Sequence, residues 1–466
     1  MSVQNLNRDL LTTEPGFHYV KNAATLLDHG CAALRRDALA IFEKVLADVN
    51  PFDWCQRQLA VANDQLWVGD LRLPLARTAK IWFLGAGKAS YEIARSVEES
   101  LGERLHAGLV VCKGHHGALR RIEVWQAHHP VPSQSSIDAG REVLARALLP
   151  VAGDVVICGI TGGSSALMTV PADGLELSDL QSLTEILLTC GADIFEINAV
   201  RKHVSLVGGG RLALALAPGV HLVNLTVSDV IGDALDYVTD PTVADTSSME
   251  DARATLDKYR LWDRVTPATR DFLRRGGPMT ETPKHLPWPA SHTVLLLSAA
   301  SAAEAARKAA QALGYHAVVL SSSFDGESQS LGHNFAAIAS EVIFRGSPVG
   351  RPCALIGGGE TIVRMSGFGG LGGPNQEFAL AGALRLPAGA EAVLLGADTD
   401  GTDGPTDIAG GLCDTHTRRR ALDLEVDIHR ALDQHDATNA LLKLGDAIST
   451  GPTGSNVNDL KLLLVR

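Results

Sequence analysis

The chain has 466 residues, 45% hydrophobic and 20% charged, so it can bury a sizeable core and has room for two or three domains. Its formal net charge of −12 disfavours nucleic acid as a partner, because phosphates are met by a basic surface. The N-terminus lacks the apolar core of a signal peptide, and no apolar run approaches the roughly 20 residues of a membrane span. Seven scattered cysteines, never spaced as CxxC, fit a reducing compartment. We expect a cytoplasmic protein with no membrane partner, either a monomer or a homodimer.

Short runs rich in Val, Ile and Leu alternate with longer segments of helical periodicity, which predicts βαβ units and a largely parallel sheet. The predicted strands are 81–84, 109–111, 122–125, 154–158, 221–227, 293–297, 317–320, 353–356, 361–365, 392–395 and 460–465. The predicted helices are 23–49, 93–101, 136–148, 177–189, 302–313 and 375–384. The segment 276–285 carries Gly, Pro and charge without periodicity, and we interpret it as the connection between two domains.

Six turns rich in glycine and in oxygen-bearing side chains follow predicted strands. They lie at 85–90, 161–166, 228–233, 357–361, 398–407 and 450–459. Ligands of open parallel sheets bind beyond the carboxyl ends of the strands. The position of these turns therefore predicts one composite active site.

The first turn, at 85–90, satisfies neither of the two phosphate-binding patterns that it resembles. Ala89 stands where a P-loop needs Ser or Thr, and Ser90 stands where the dinucleotide fingerprint needs a third glycine. What remains is a tight glycine turn that opens a helix, with Lys88 at the electropositive helix end. The pattern fits either a phosphate-facing lysine or a solvated lysine on a structural turn.

The second and third turns also allow two interpretations each. Consecutive amides and hydroxyls at 162–165 suit either an anion-binding nest or an ordinary strand-to-helix turn with serine caps. Asp229 and Asp233 suit Mg²⁺ or a general base, while helix capping by Asp229 is the structural alternative.

The C-terminal turns concentrate carboxylates. Three glycines precede Glu360, and four aspartates fall within 398–407, a pattern that favours a metal or phosphate–metal site. The loop is not an EF-hand, because Ala409 occupies the position of the closing glutamate. Upstream, Arg201 and Lys202 lie on one predicted helix, either as a carboxylate or phosphate clamp or as a solvated face.

Taken in order, these segments resemble the class II glycerate 2-kinases from about residue 32 to the end. The motifs that carry the resemblance are GAGKA (85–89), HPVP (129–132), TGGSSAL (161–167), INAVRKHVS (197–205), GGRLA (209–213), VSDVIGD (227–233), GGGET (357–361), NQE (375–377), TDGTDGPTD (399–407) and GPTGSNVNDL (451–460). The resemblance implies an α/β fold with a Rossmann-like N-terminal domain of mostly parallel sheet (1–275), a connection (276–290) and a smaller MOFRL-type C-terminal α/β domain (291–466). It implies an active-site cleft between the domains, and leaves open whether the last residues pack back on the first domain.

The resemblance also implies a phosphotransferase that uses ATP and Mg²⁺, or another divalent cation, to convert D-glycerate or a close hydroxy or sugar acid into its 2-phosphate. The implied catalytic residues are Lys88, Asp229, Glu360 and Asp403. The implied substrate-binding residues are His129, Asn198, Arg201, Lys202 and Asn375. The implied nucleotide- or phosphate-binding residues are Gly85, Gly87, Gly162, Gly163, Ser164, Ser165, Gly358, Gly359, Thr453 and Asn456, and the implied metal ligands are Asp229, Asp233 and Asp400.

Two other functions fit parts of the sequence. One is an NAD(P)H-dependent hydroxypyruvate reductase, against which the incomplete fingerprint at 85–90 argues. The other is a non-catalytic nucleotide- or sugar-acid-binding paralogue. Pro374 supports it, because the family usually has an arginine there and proline supplies neither charge nor an N–H group.

Overall fold

The computed structural model describes residues 16–228, 230, 232, 240–277, 280–286, 291–364 and 369–466. The chain divides into two compact units. The first unit is residues 51–296, and the second unit is residues 1–50 together with 297–466.

The helices and strands are numbered here in chain order. The strands are β1 (Leu59–Ala62), β2 (Gln65–Val68), β3 (Leu71–Pro74), β4 (Ile81–Ala86), β5 (Leu105–Lys113), β6 (Ile122–Ala127), β7 (Val155–Thr161), β8 (His221–Val227), β9 (Ser291–Leu297), β10 (His316–Phe324), β11 (Cys353–Gly359), β12 (Ala392–Asp398), β13 (Gly410–Asp414), β14 (Ala447–Ile448) and β15 (Asp459–Val465). The helices are α1 (Ala23–Leu27), α2 (Ala32–Asp48), α3 (Pro51–Gln58), α4 (Ser90–Leu101), α5 (Gln134–Ala147), α6 (Ser164–Leu167), α7 (Leu177–Thr189), α8 (Ile194–His203), α9 (Arg211–Ala215), α10 (Met249–Lys258), α11 (Pro267–Arg275), α12 (Ala299–Ala312), α13 (Ser328–Arg345), α14 (Pro374–Ala383), α15 (Thr417–Asp423), α16 (Ile428–Asp433) and α17 (Ala437–Leu444).

The main sheet of the first unit has the strand order β6-β5-β4-β7-β8-β9, and the pairings from β6 to β8 are all parallel. β4 and β7 are buried along their whole length, which explains their continuous apolar sequence. The chain moves from β4 outward through β5 and β6, then returns to β7 on the other side of β4. The β4–β7 boundary is therefore a topological switch point, where open α/β sheets bind ligands.

The sheet of the second unit is mixed, with the order β10-β11-β15-β12-β13-β14. Only its β10–β11 pair is parallel; the other four pairings are antiparallel. The last strand, β15, is central in this sheet, between β11 and β12. Phe335 and Phe378 anchor the core on one face, with ring centroids 5.1 Å apart. The expectation of two α/β domains is confirmed, and the last residues form part of the second one.

The division of the chain differs from the predicted boundaries at both ends of the first unit. Residues 1–50 group with the C-terminal part because Arg35, fully buried on α2, pairs with two buried carboxylates there. Its Nη1 donates to Asp414 at 3.0 Å and its Nη2 to Asp446 at 2.7 Å. At the other end, the strand at 291–297 completes the first sheet, although we predicted residue 291 as the start of the second domain.

Two predicted local elements need correction, and one small sheet was missed. The helix at 23–49 is interrupted between Leu27 and Ala32. The strand at 361–365 is absent at 361–364, where Ile362 makes only an isolated bridge to Glu327, and residue 365 lies outside the described residues. The small antiparallel sheet β1-β2-β3 was not predicted. Within the part of the chain that the structure describes, no helix is both long and apolar enough to cross a membrane.

We predict that Arg35→Met destabilises the second unit by about 3–5 kcal/mol, because removing one partner leaves buried carboxylates uncompensated. Chemical unfolding followed by far-UV circular dichroism measures the change. Arg36→Met is the matched control, since Arg36 is the exposed neighbour on the same helix and its loss is expected to cost less than about 1 kcal/mol. Equal effects of the two substitutions would contradict a role for the buried pairs.

Candidate active site

The first two predicted turns meet at the switch point of the first sheet. The Lys88 amide donates to the Gly162 carbonyl at 2.9 Å, and the Ala89 amide donates to Oγ1 of Thr161 at 3.1 Å. The Ser90 hydroxyl lies 3.1 Å from the same Oγ1. The turn after β4, which opens α4, is therefore tied to the end of β7, as expected from the sequence.

Glycine is required at two positions where these turns are in closest contact. Gly87 has φ +141°, and a Cβ there would lie 2.1 Å from Oγ1 of Thr161. Gly163 has φ +85°, and a Cβ there would lie 2.9 Å from the ring of His129. Side chains at either position would force the segments apart, so the glycines permit backbone contact rather than flexibility. The structure thus places three predicted segments, 85–90, 129–132 and 161–165, in direct contact.

The side chains of these three segments differ in how far they are exposed to solvent. Lys88 and His129 are half-buried, and so is Ser165. Ser164 is 6% exposed and begins the short helix α6. A cation thus lies directly before the N-terminus of α4 and beside the turn at 161–165, and a cation at a helix N-terminus favours an anionic group such as phosphate.

Arg201 and Lys202, which the sequence allowed either as a clamp or as a solvated face, have different surroundings. Lys202 is 2% exposed, and its Nζ lies 2.9 Å from Oδ1 of Asp245. Nη2 of Arg201 is buried and has no hydrogen-bond partner, and burial lowers the pKa of Arg201 to about 10. An unsatisfied buried guanidinium nitrogen is costly, so Arg201 is the residue of the two that is suited to gain an anionic ligand.

The predicted connection at 276–285 packs against the same helix, α8. Nε2 of His203 lies 2.7 Å from Oε1 of Glu281, and the Thr282 hydroxyl donates to Asp245 at 2.7 Å. Burial opposes ionisation of Glu281, but hydrogen bonds from Lys284 and His203 outweigh it and lower its pKa. This part of the segment is therefore anchored to the first unit, and it braces the end of α8 that carries Arg201.

In the second unit, hydrogen bonds connect the predicted turns at 357–361, 398–407 and 450–459 with the start of α14. Asn375 is fully buried, and its Nδ2 donates to Asp403 at 3.0 Å and to Asp459 at 2.6 Å. The Thr361 amide donates to Asp459 at 3.3 Å. The Thr399 hydroxyl donates to the Asn458 carbonyl at 2.8 Å. The convergence predicted for these turns is therefore present within this unit.

Asp403 caps helix α14. It is 1% exposed and accepts the Asn375 and Gln376 amides at 3.1 and 2.9 Å. Burial, together with the nearby Asp459, raises the pKa of Asp403 to about 6. Pro374 is the first residue of this helix, where no N–H group is needed. Asp403 and Asn375 thus hold this loop in shape and contact no solvent, which favours a positioning role over direct contact with a substrate.

A buried lysine that the sequence reading did not single out lies under this loop. Lys461 is 1% exposed; its Nζ contacts Oδ1 of Asn375 and lies 3.0 Å from Oδ2 of Asp459. The same ammonium lies 5.3 Å from the centre of the Phe378 ring. A lysine among the leucines of β15 was the signal available in the sequence.

The other predicted residues of the second unit vary in exposure. Glu360 is exposed and Asp400 is half-buried, with Oδ1 of Asp400 accepting the Thr402 amide at 2.8 Å. Thr453 and Asn456 are nearly buried, at 8% and 6%. The glycines at 357–359 are corrected from a turn to the end of β11. A Cβ on Gly357 would lie 2.8 Å from the Phe324 ring, and one on Gly359, at φ +130°, would lie 2.1 Å from the Phe324 carbonyl oxygen, whereas a Cβ on Gly358 would meet only ordinary contact distances. Close packing against β10 therefore requires glycine at positions 357 and 359.

Two of the proposed carboxylates, Asp229 and Asp233, lie outside the described residues. Asn198 is half-buried on α8, and Gly85 is buried in β4. Among the residues that are described, no three His, Cys, Asp or Glu side chains are grouped so that they could hold a metal ion.

Two family models match the chain. One is described as a domain of unknown function, DUF4147, over residues 37–274, and the other as the MOFRL family, over residues 353–459. Together they cover most of both units.

Relatives match over nearly the whole length. A glycerate 2-kinase from Pyrococcus horikoshii is 37% identical over 93% of this chain and 97% of its own. A protein from Agrobacterium vitis with a provisional hydroxypyruvate reductase name is 37% identical over 82% of this chain and 98% of its own. The crystal structure of a glycerate kinase from Thermotoga maritima matches with a TM-score of 0.80 and 36% identity, over 93% of this chain and 100% of that one. The chain therefore belongs to the glycerate kinase family, whose members join a DUF4147 domain to a MOFRL domain.

Proposed function

We propose that this protein is an ATP-dependent kinase that phosphorylates the 2-hydroxyl of D-glycerate. The observation that carries the proposal is the paired turn at the β4–β7 switch point, which holds Lys88 directly before the N-terminus of α4. The names of the P. horikoshii and T. maritima relatives support the same activity.

In this reaction the 2-oxygen of glycerate forms a bond to the γ-phosphorus of ATP, and the bond from that phosphorus to the β–γ bridging oxygen breaks. ADP leaves, and the hydroxyl proton passes to a base or to water. Because phosphoryl transfer depends chiefly on positioning and on charge stabilisation, fixed cations and amides supply most of what it needs. Lys88 would stabilise phosphate charge, and Arg201 would hold the carboxylate of glycerate.

A divalent cation would add charge neutralisation on the β- and γ-phosphates. Mg²⁺ bound through substrate phosphates needs only one or two protein carboxylates. The half-buried Asp400 fits such a role, since it belongs to an acidic loop already held in shape by Asp403 and Asn375. Asp229 remains our proposed base, and Asp233 a proposed metal ligand, on the sequence alone.

A hydroxypyruvate reductase is the second candidate, favoured by the name of the A. vitis relative. Purified protein is expected to release ADP when given ATP, Mg²⁺ and D-glycerate, in a coupled assay, and to leave NADH and NADPH unoxidised with hydroxypyruvate. The reverse result would replace the kinase proposal with a reductase. Binding of ATP and Mg²⁺ without phosphorylation of any small hydroxy or sugar acid would establish a non-catalytic paralogue.

We predict that Lys88→Ala lowers kcat at least 100-fold, because it removes a positive charge next to the transferred phosphate, where loss of one such contact costs about 3 kcal/mol. Melting temperature should change little, since Lys88 lies in a half-buried turn. Lys80→Ala is the matched control, because Lys80 is an exposed lysine that precedes the same strand. A melting temperature that falls together with the activity would show a structural lysine instead.

We predict that Arg201→Gln raises the KM for glycerate roughly 10- to 100-fold and leaves the KM for ATP unchanged, because a charge-assisted bond to the carboxylate contributes about 1.5–3 kcal/mol. Initial-rate kinetics with each substrate varied in turn measures both constants. Arg270→Gln is the control, since Nε of Arg270 is also buried and unpartnered. An increase in KM for ATP alone would assign Arg201 to the nucleotide.

A further inference from the structure

A pair of stacked rings borders the phosphate-type turn of the first unit. The rings of Tyr91 and His116 lie 4.4 Å apart at 25° between planes, and both side chains are half-buried. Tyr91 is the second residue of α4, directly after the turn that carries Lys88. His116 follows the carboxyl end of β5, the strand next to β4. The two rings therefore belong to the same edge of the sheet as the candidate site.

Hydrogen bonds of His115 and His116 hold the segment after β5 in place. Nε2 of His116 lies 3.1 Å from the Lys113 carbonyl. Nδ1 of His115 lies 2.9 Å from Nε2 of Gln126. Since the Gln126 amide nitrogen can only donate, Nδ1 of His115 accepts, and its exposed Nε2 carries the hydrogen. The two stacked rings thus form an ordered surface, and Nε2 of His115 is a hydrogen-bond donor beside it.

The distance between this surface and the phosphate-type turn suits a nucleoside. The Gly87 amide donates to the Val111 carbonyl at 3.2 Å, which ties the turn to the end of β5. His116 follows β5 and Gln126 belongs to β6, so the ring surface is one to two strands, about 5–10 Å, from the turn. In doubly wound sheets the phosphates lie at the turn after the first strand and the nucleoside extends towards the next strand. In this protein β4 corresponds to the first strand and β5 to the next strand.

We infer that Tyr91 and His116 form the nucleobase subsite of this protein, on which the purine of ATP or ADP stacks while its phosphates meet the Lys88 turn. This inference rests on the proposed kinase function and adds to it the location of the base. A small hydroxy acid has no ring, so of the two substrates only the nucleotide gains from an aromatic surface. Stacking of a base on aromatic side chains strengthens binding by about 5-fold or more.

The test compares binding of ADP–Mg²⁺ with binding of inorganic tripolyphosphate, which has no base, by isothermal titration calorimetry. His116→Ala is expected to weaken ADP about 5-fold or more, with tripolyphosphate unchanged. His116→Phe keeps the ring and should retain ADP affinity within about 2-fold of the parent protein. His116→Asn removes the ring but preserves a donor towards Lys113, and it serves as the second variant should His116→Ala fail to fold.

His106→Ala is the matched control. His106 is an exposed histidine that meets the Trp82 ring edge-on at 4.5 Å, near the amino ends of β4 and β5. Its removal should leave ADP affinity unchanged. The inference is overturned by unchanged ADP affinity in His116→Ala and His116→Asn, by an equal loss for tripolyphosphate, or by a parent protein that binds no ADP.

The outcome is separable from that of the kinase proposal. If the parent protein binds ADP in a His116-dependent way but does not phosphorylate glycerate, the nucleobase subsite is supported and the proposed kinase function is wrong. If the parent protein phosphorylates glycerate and His116→Ala has the same KM for ATP as the parent, the kinase function is supported and the nucleobase subsite is wrong.

Discussion

The contact between the turn after β4 and the end of β7 is the constraint on which the candidate site of the first unit depends. A hydroxyl of Thr161 fills the space that a side chain at residue 87 would occupy, and it accepts the Ala89 amide. This contact fixes where α4 begins, and with it the direction of the amides around Lys88. A side chain at position 87 would collide with Thr161 and push apart the ends of β4 and β7, which pair in parallel as far as Ala86 and Ile160.

Both units contain buried cations that are paired with carboxylates. Arg35, Lys202 and Lys461 are each buried and each paired with carboxylates, as the cost of desolvation demands. Such pairs hold segments in place. Arg201 departs from this rule, because one of its nitrogens is buried without a partner. A buried group without a partner calls for an explanation, and for Arg201 we propose an anionic ligand.

Pro374 takes on a different meaning once the fold is known. From the sequence, it is a missing arginine beside a predicted active site. In the structure, it opens α14, where its fixed backbone angle suits the first helical position and its missing N–H group is not needed. The amides that follow are capped by Asp403. The residue therefore builds the helix that presents Asn375, whatever the position contributes in relatives.

The fold class, the positions of most strands and the turns that carry polar groups could be predicted from the amino-acid sequence, because strand burial and glycine content are local patterns. The order of the motifs also identified the family. Which charged side chains pair with each other became clear from the three-dimensional structure: Lys202 and Asp403 are buried among partners, Arg201 has an unsatisfied nitrogen, and Lys461 lies under the acidic loop. The structure also decided that residues 1–50 join the second unit. Ion pairing joins residues that are hundreds of positions apart, as Arg35 and Asp446 are, and no local pattern in a single chain records such a pairing.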